Sequence, residues 1–216
     1  MRSSLTITDA IKTLGQIEAK LGIRLSEDAS FFTEWLGTLP EISDREALLQ
    51  TDRDRLDRVR CNYLYQSTDG ILLEETIKMV ILSPLLELAG FYQAPYKFRA
   101  EVTVEVEAVG DEDEILRGRI DALVVQNRLW VVLIEAKKAT FDLELALPQT
   151  LAYMAATPEA AKPVFGLITN GSSYLFVKLL GKEYGVSDLF ATRSQYRNNL
   201  YQVLQILRYL GGLVVG

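Results

Sequence analysis

Between residues 102 and 136 the chain first alternates and then runs apolar, a pattern that paired strands satisfy. Val102, Val104 and Val106 alternate with Thr103, Glu105 and Glu107, the period-two signature of a half-buried strand. Further strands are predicted at about 116–125 and 129–136, joined by a tight turn at Gln126-Asn127-Arg128. The second is an apolar run, Leu129–Ile134, that leads straight into Glu135-Ala136-Lys137. A carboxylate at the end of a buried strand is costly unless it is paired or binds a metal. Asp121, in Gly118-Arg119-Ile120-Asp121, lies on the strand before it.

Around these strands the pattern is helical. Residues 5–66 read as helical, with Leu14, Ile17, Leu21 and then Phe31, Phe32, Trp35, Leu36, Leu39 at helical spacing, interrupted by Pro40. Arg45–Tyr65 is densely charged with mixed signs; this suits a solvated, salt-bridged helix face better than a phosphate-binding arginine cluster. Ser67-Thr68-Asp69-Gly70 opens a long apolar helix, Ile71 to Ala89, that Gly90 ends. Gly110-Asp111-Glu112-Asp113 forms an acidic loop. Phe141 to Ala156 is predicted as a helix, Val164–Thr169 and Tyr174–Leu179 as strands joined by Asn170-Gly171, and Ser194–Leu210 as a helix ending at Gly211-Gly212. The expected fold is a mixed α/β domain with the order helix, three strands, helix, two strands, helix. Residues 1–66 form a helical N-terminal extension and residues 67–216 the core with its C-terminal helix.

Composition narrows the chemistry. Hydrophobic residues make up 49% of the 216, enough for a substantial core. Cys61 is the only cysteine, so no internal disulfide framework exists and a reducing cytoplasm is expected. The chain has no histidine, which removes Ser-His-Asp and Cys-His catalysis and every His-containing zinc site. A metal would be held by oxygen ligands, favouring Mg²⁺ or Mn²⁺. No signal-peptide-like stretch opens the chain and no apolar run is long enough to span a membrane, so no membrane association is expected. The net charge of −6 argues against broad electrostatic attraction to nucleic acid, although an acidic total can sit away from a cleft.

The acids and the lysine are spaced for a shared site. Residues two apart on a strand share a face, grouping Arg119, Asp121 and Leu123 on one strand, and Val131, Leu133, Glu135 and Lys137 on the next. With the turn centred on Asn127, Arg119 sits opposite Glu135 and Asp121 on its diagonal. Asp121, Glu135 and the carbonyl of Ala136 are natural ligands for a hard divalent cation, which polarises a phosphoryl oxygen and lowers the pKa of bound water. Lys137 can orient or deprotonate that water, or stabilise developing negative charge. The competing structural reading is a Glu135–Arg119 salt bridge.

These residues resemble the PD-(D/E)xK nuclease superfamily and, more narrowly, the N-terminal nuclease domain of type I restriction-enzyme R subunits. The resemblance rests on Asp121 in Gly-Arg-Ile-Asp, on Glu135-Ala136-Lys137, and on Gln149-Thr150-Leu151-Ala152-Tyr153, which matches that group's Q-x-x-x-Y motif. Ile168-Thr169-Asn170-Gly171 followed by Tyr174-Leu175-Phe176 is similar to the family's next hairpin. The likeness covers about 70–180 and implies a restriction-endonuclease-like core. It further implies DNA as partner, Mg²⁺ or Mn²⁺ as cofactor, and Asp121, Glu135, Lys137 and Gln149 as catalytic residues. Glu74 joins Asp121, Glu135 and Ala136 as metal ligand, with Glu75 as the other candidate, while Arg119, Lys138 and Tyr153 contact substrate. Gln149 and Tyr153, four apart, share a helix face, and simple packing of Tyr153 is the alternative. The signature's first proline is replaced by Arg119-Ile120, and no G-x-x-x-x-G-K-[ST] is present, so a stand-alone nuclease-like domain without an ATP motor is expected. A homodimer would let two sites cut both strands, although no residue demonstrates one. The alternatives are a catalytically silent binding module with the same fold, and hydrolysis of another phosphate ester.

Overall fold

The computed structural model describes residues 3–34, 48–108, 114–126, 129–194 and 198–213. The expected helical positions Trp35, Leu36, Leu39 and Pro40, the Gly110–Asp113 loop and the turn residues Asn127 and Arg128 lie outside them. Eight strands form one mixed sheet among the described residues: β1 Ser3–Thr6, β2 Arg24–Leu25, β3 Lys97–Glu107, β4 Glu114–Gln126, β5 Leu129–Ala136, β6 Val164–Thr169, β7 Ser173–Leu180 and β8 Glu183–Ala191. Their order is β1-β4-β5-β6-β7-β8-β2, with β3 also paired to β4. The meander β3-β4-β5 is antiparallel, whereas β5 and β6 are parallel. A parallel neighbour needs a crossover, and the 3₁₀ turn Leu143–Ala146 with helix α6 Leu147–Met154 supplies it. Every residue of β6 is buried, as expected for a central strand covered on both faces.

Helices cover both faces. On one lie α1 Ile7–Ala10, α2 Leu14–Leu21 and α6; on the other lie α3 Gln50–Gln66, α4 Glu74–Ile77, α5 Ser83–Leu88 and α7 Leu200–Leu213. Two cores result. One joins Ile7, Ile17, Leu21 and Leu151 to Ile120 and Leu123 of β4. The other joins Leu56, Tyr63, Ile77, Leu85 and Leu204 to Ala122 and Val124. The single apolar helix expected from Ile71 to Ala89 is interrupted: a π-helical turn, Lys78–Leu82, separates α4 from α5.

Four further elements differ from the sequence reading. Residues 5–66 are not helical throughout, because Ser3–Thr6 pairs in parallel with β4 and Arg24–Leu25 with β8. Strands of four and two residues are too short to show a period, so only their partners reveal them. A third strand follows β7. In β8 alternation is blurred where the β7–β8 register shifts between Leu175 and Val177, and the Ser187 hydroxyl accepts the Phe176 N–H at 3.0 Å. Finally, α7 continues through Gly211-Gly212 to Leu213. Gly211 serves close packing, since a Cβ there would come within 2.9 Å of both Phe91 and Tyr96.

Candidate functional site

The site forms where β4 and β5 part. Their pairing runs from Gln126↔Leu129 to Ala122↔Ile134 with a register shift between Val124 and Val125. Continued by one residue, that register sets Asp121 level with Glu135, the place the sequence reading gave to Arg119. Arg119 instead pairs with Thr103 of β3 and its exposed guanidinium lies 3.4 Å from Glu101, so no Glu135–Arg119 bridge exists.

Face alternation also fails at the site. Ile120 belongs to the α6-side core, whereas Asp121 and Ala122 both line a cleft on the α4–α5 side with Lys78, Leu82 and Leu86. Leu123 returns to the α6 side, so it does not share a face with Asp121. Across from this irregularity Glu101 adopts φ 53°, a left-handed conformation that is uncommon outside glycine. Glu135 is flanked by Ile134 and Ala136, which pack in the α4–α5-side core, and therefore turns toward α6. The two carboxylates approach from opposite faces. Asp121 Oδ2 accepts the Ala136 N–H at 2.8 Å, a side chain completing what the ladder leaves open.

Glu135 is 3% exposed, and its Oε1 receives the Lys137 ammonium at 2.5 Å. Its Oε2 is buried without a hydrogen-bond partner. Burial chiefly, with the Asp121 and Glu74 charges, outweighs Lys137 and pushes the Glu135 carboxyl up to about 7. Burial disfavours the Lys137 charge, but the Glu135, Asp121 and Glu74 carboxylates overcome it and raise its pKa. Lys137 is thus held as a cation, 5.8 Å above the Phe141 ring. Of the two candidate glutamates, Glu74 acts on Glu135 and is less exposed than Glu75, at 38% against 79%.

Gln149 and Tyr153 lie beside this group on α6. The Gln149 amide donates to the Tyr153 hydroxyl and, at 3.2 Å, to Thr8 Oγ1. That amide nitrogen is thus turned to Thr8 and Tyr153. Burial first, and the Glu135 charge among its further causes, raise the Tyr153 phenol. The Tyr153 ring rests on β4 at Gly118, where any Cβ would overlap it. Lys138 is exposed just past the strand end, and what Ala136 presents to Asp121 is its N–H.

Sequence reasoning missed two contributors. Lys78, at the start of the π-helical turn, places Nζ 3.0 Å from Asp121 Oδ1, 2.9 Å from Glu74 and 3.1 Å from Glu75. Its spacing of four and three from those glutamates was the available signal. Thr8 was hidden in the supposed N-terminal extension. Among the described residues no three carboxylates converge as a ready-made metal cage, because Lys78 stands between Glu74 and Asp121. The donors themselves fit a hard divalent ion: all are oxygens, and Glu135 Oε2 is buried and unpartnered.

An α/β domain with a mixed sheet, carrying an acid–acid–lysine cluster where β4 and β5 part, is the class that this fold and site define. The family described as type I restriction enzyme R protein N terminus matches residues 28–184, and the chain belongs to it. Among solved structures it is similar to a fragment of an HsdR subunit of a type I restriction enzyme from Vibrio vulnificus YJ016, at 18% identity and a TM-score of 0.41. That match covers 66% of this chain and 26% of the other, so this chain spans about a quarter of its length. No curated protein matches the chain. Among the described residues, no helix is long and apolar enough to cross a membrane.

Proposed function

We infer that this domain hydrolyses DNA phosphodiester bonds with the help of Mg²⁺ or Mn²⁺. The observation that carries the reading is the buried Glu135 carboxylate, with one oxygen on Lys137, the other unpartnered, and Asp121 beside it. Family membership supports it. Glu74, Asp121, Glu135 and the Ala136 carbonyl would hold the ion, which supplies Lewis-acid polarisation of a phosphoryl oxygen and a more acidic bound water. Asp121 is fixed for this by the Ala136 N–H. Glu135 offers the ion an oxygen that nothing else in the fold has claimed. Lys137, held as a cation, stabilises charge developing on the phosphate rather than acting as a base. Gln149 and Tyr153 position the α6 side of the site, and the exposed Arg119 and Lys138 contact backbone phosphates.

The test is nicking of supercoiled plasmid with Mg²⁺ or Mn²⁺ by the native chain, Asp121→Ala and Glu135→Ala. Loss of nicking in both variants is expected. Activity unchanged in both would sink the assignment. A second reading, a catalytically silent module, is favoured by the Lys78 contacts with Glu74 and Asp121 and by the pI of about 4.9. Absence of both Mn²⁺ binding by calorimetry and retention on DNA at low salt would select it.

A further inference from the structure

Lys78 is held by carboxylates that the metal-dependent reading assigns to the ion. Its Nζ is within 3.1 Å of three carboxylate oxygens, from Glu74, Glu75 and Asp121, and its side chain is only 21% exposed. Two of those carboxylates are the ones assigned above as ligands on α4 and β4. The backbone contributes to the placement: the Lys78 N–H is shared between the carbonyls of Glu74 and Glu75, and the π-helical turn starts at this residue. Such turns recur at functional sites. Independently of this cluster, Glu135 Oε2 is buried and unpartnered, an oxygen that Lys78 does not satisfy.

We propose that the Lys78 ammonium is a built-in counter-cation that holds Glu74 and Asp121 in place and swings out when a divalent cation enters, so that it sets the affinity of the site for the ion. This rests on the metal-dependent reading above. With three anionic oxygens at about 3 Å, the ammonium spreads across the carboxylates that an ion would bridge. A dication offers these groups twice the charge, and Glu135 Oε2 stays unpaired for as long as Lys78 is the only cation on them. Released, the flexible lysine has solvent beside it and the cleft of about 430 Å³ lined by Met79, Tyr92, Phe98 and Glu101.

The experiment titrates Mn²⁺ into the full chain, freed of metal by chelation, and follows binding by calorimetry and by electron paramagnetic resonance. Lys78→Met should bind Mn²⁺ on the order of tenfold more tightly than the native chain, the scale on which neighbours tune metal sites. Lys78→Arg, which keeps the charge, should stay near the native affinity. A second measurement needs no variant. Acylation of lysines by an N-hydroxysuccinimide ester, mapped by mass spectrometry, should rise at Lys78 when saturating Mn²⁺ is added. Equal or weaker Mn²⁺ binding by Lys78→Met, or Lys78 labelling that does not rise, overturns the proposal while leaving the nuclease reading intact. If neither chain binds Mn²⁺, both fall, and the nicking assay decides whether any hydrolysis remains.

Discussion

Replacing Glu135 by glutamine should change how stability depends on pH in a metal-free protein. In the unfolded chain this carboxyl titrates near its ordinary 4.5, whereas in the folded site it titrates at about 7. Between those values the folded state holds a proton that the unfolded state has released. Stability therefore falls as pH rises through this window, the reverse of a salt-bridged carboxylate. The interval from 4.5 to about 7, at about 1.4 kcal/mol per unit, is worth at most roughly 3 kcal/mol. Glutamine has nearly the same shape and no proton to lose, so the penalty disappears. The assay is urea unfolding in a chelator between about pH 5 and about pH 8, comparing the two proteins at each pH. Groups away from the site titrate alike in both proteins, so the difference reports Glu135 together with its partner Lys137. The variant should gain on the native chain by about 2–3 kcal/mol across this range. Parallel pH profiles would refute the reasoning, because the buried carboxylate would then carry no uncompensated charge.

Other perturbations test the surrounding frame. Gly118→Ala should cost about 1–3 kcal/mol in urea unfolding, because the new methyl overlaps the Tyr153 ring. It should also disturb the Gln149–Tyr153 contact, read as a slower nicking rate. Arg208→Ala should destabilise by about 3 kcal/mol, since it leaves the buried Asp52 without its two guanidinium bonds of 2.8 and 3.0 Å. The Arg208 hydrogen bond holds the Asp52 carboxyl below its ordinary 3.8. Its contribution is present above that value and lost as pH falls through the lower folded one, so acid unfolding should be shallower in the variant. Saturating Mn²⁺ should raise the melting temperature of the native chain more than that of Asp121→Ala, measured by calorimetry.

The residues of the candidate site were legible as residue types, and much of their arrangement was not. An acid closing the apolar run at Ile134 announces an unusual carboxylate, because burial alone makes such a group costly. Its relation to Asp121 was read through strict alternation and a register that set Arg119 opposite Glu135, and both assumptions fail. Two local irregularities decide the outcome: the shift between Val124 and Val125, and the break of alternation at Asp121-Ala122 opposite Glu101. Irregularities of this kind occur near active sites and leave no period to detect. Helices with an apolar stripe, such as α6, were readable from the same sequence. β1 and β2 were not, since strands this short are specified by their partners in β4 and β8. Lys78 escaped notice for a similar reason: a lysine on an apolar helix reads as a solvated residue until Asp121, 43 positions away, is brought against it.

The two sides of the site hold their charges differently, and this separates their roles. On the α4 side the single Lys78 meets three carboxylates, so each has a hydrogen-bond partner although negative charge stays in excess, and Asp121 sits in a closed hydrogen-bond arrangement with the Ala136 N–H. On the α6 side Glu135 has one cation, one empty oxygen and a carboxyl raised to about 7. Folding alone would favour a second partner or an apolar residue at that position. A strained carboxylate next to a satisfied one is what a site gains from if its final partner arrives from solution, because the ion then relieves a cost already incurred in folding. The α4 side would supply a preset grip and the α6 side the driving force. On this argument, removing the Glu135 charge should weaken Mn²⁺ binding even as it stabilises the metal-free fold. A glutamine variant that is more stable and still binds Mn²⁺ as tightly would show that the strain serves something else.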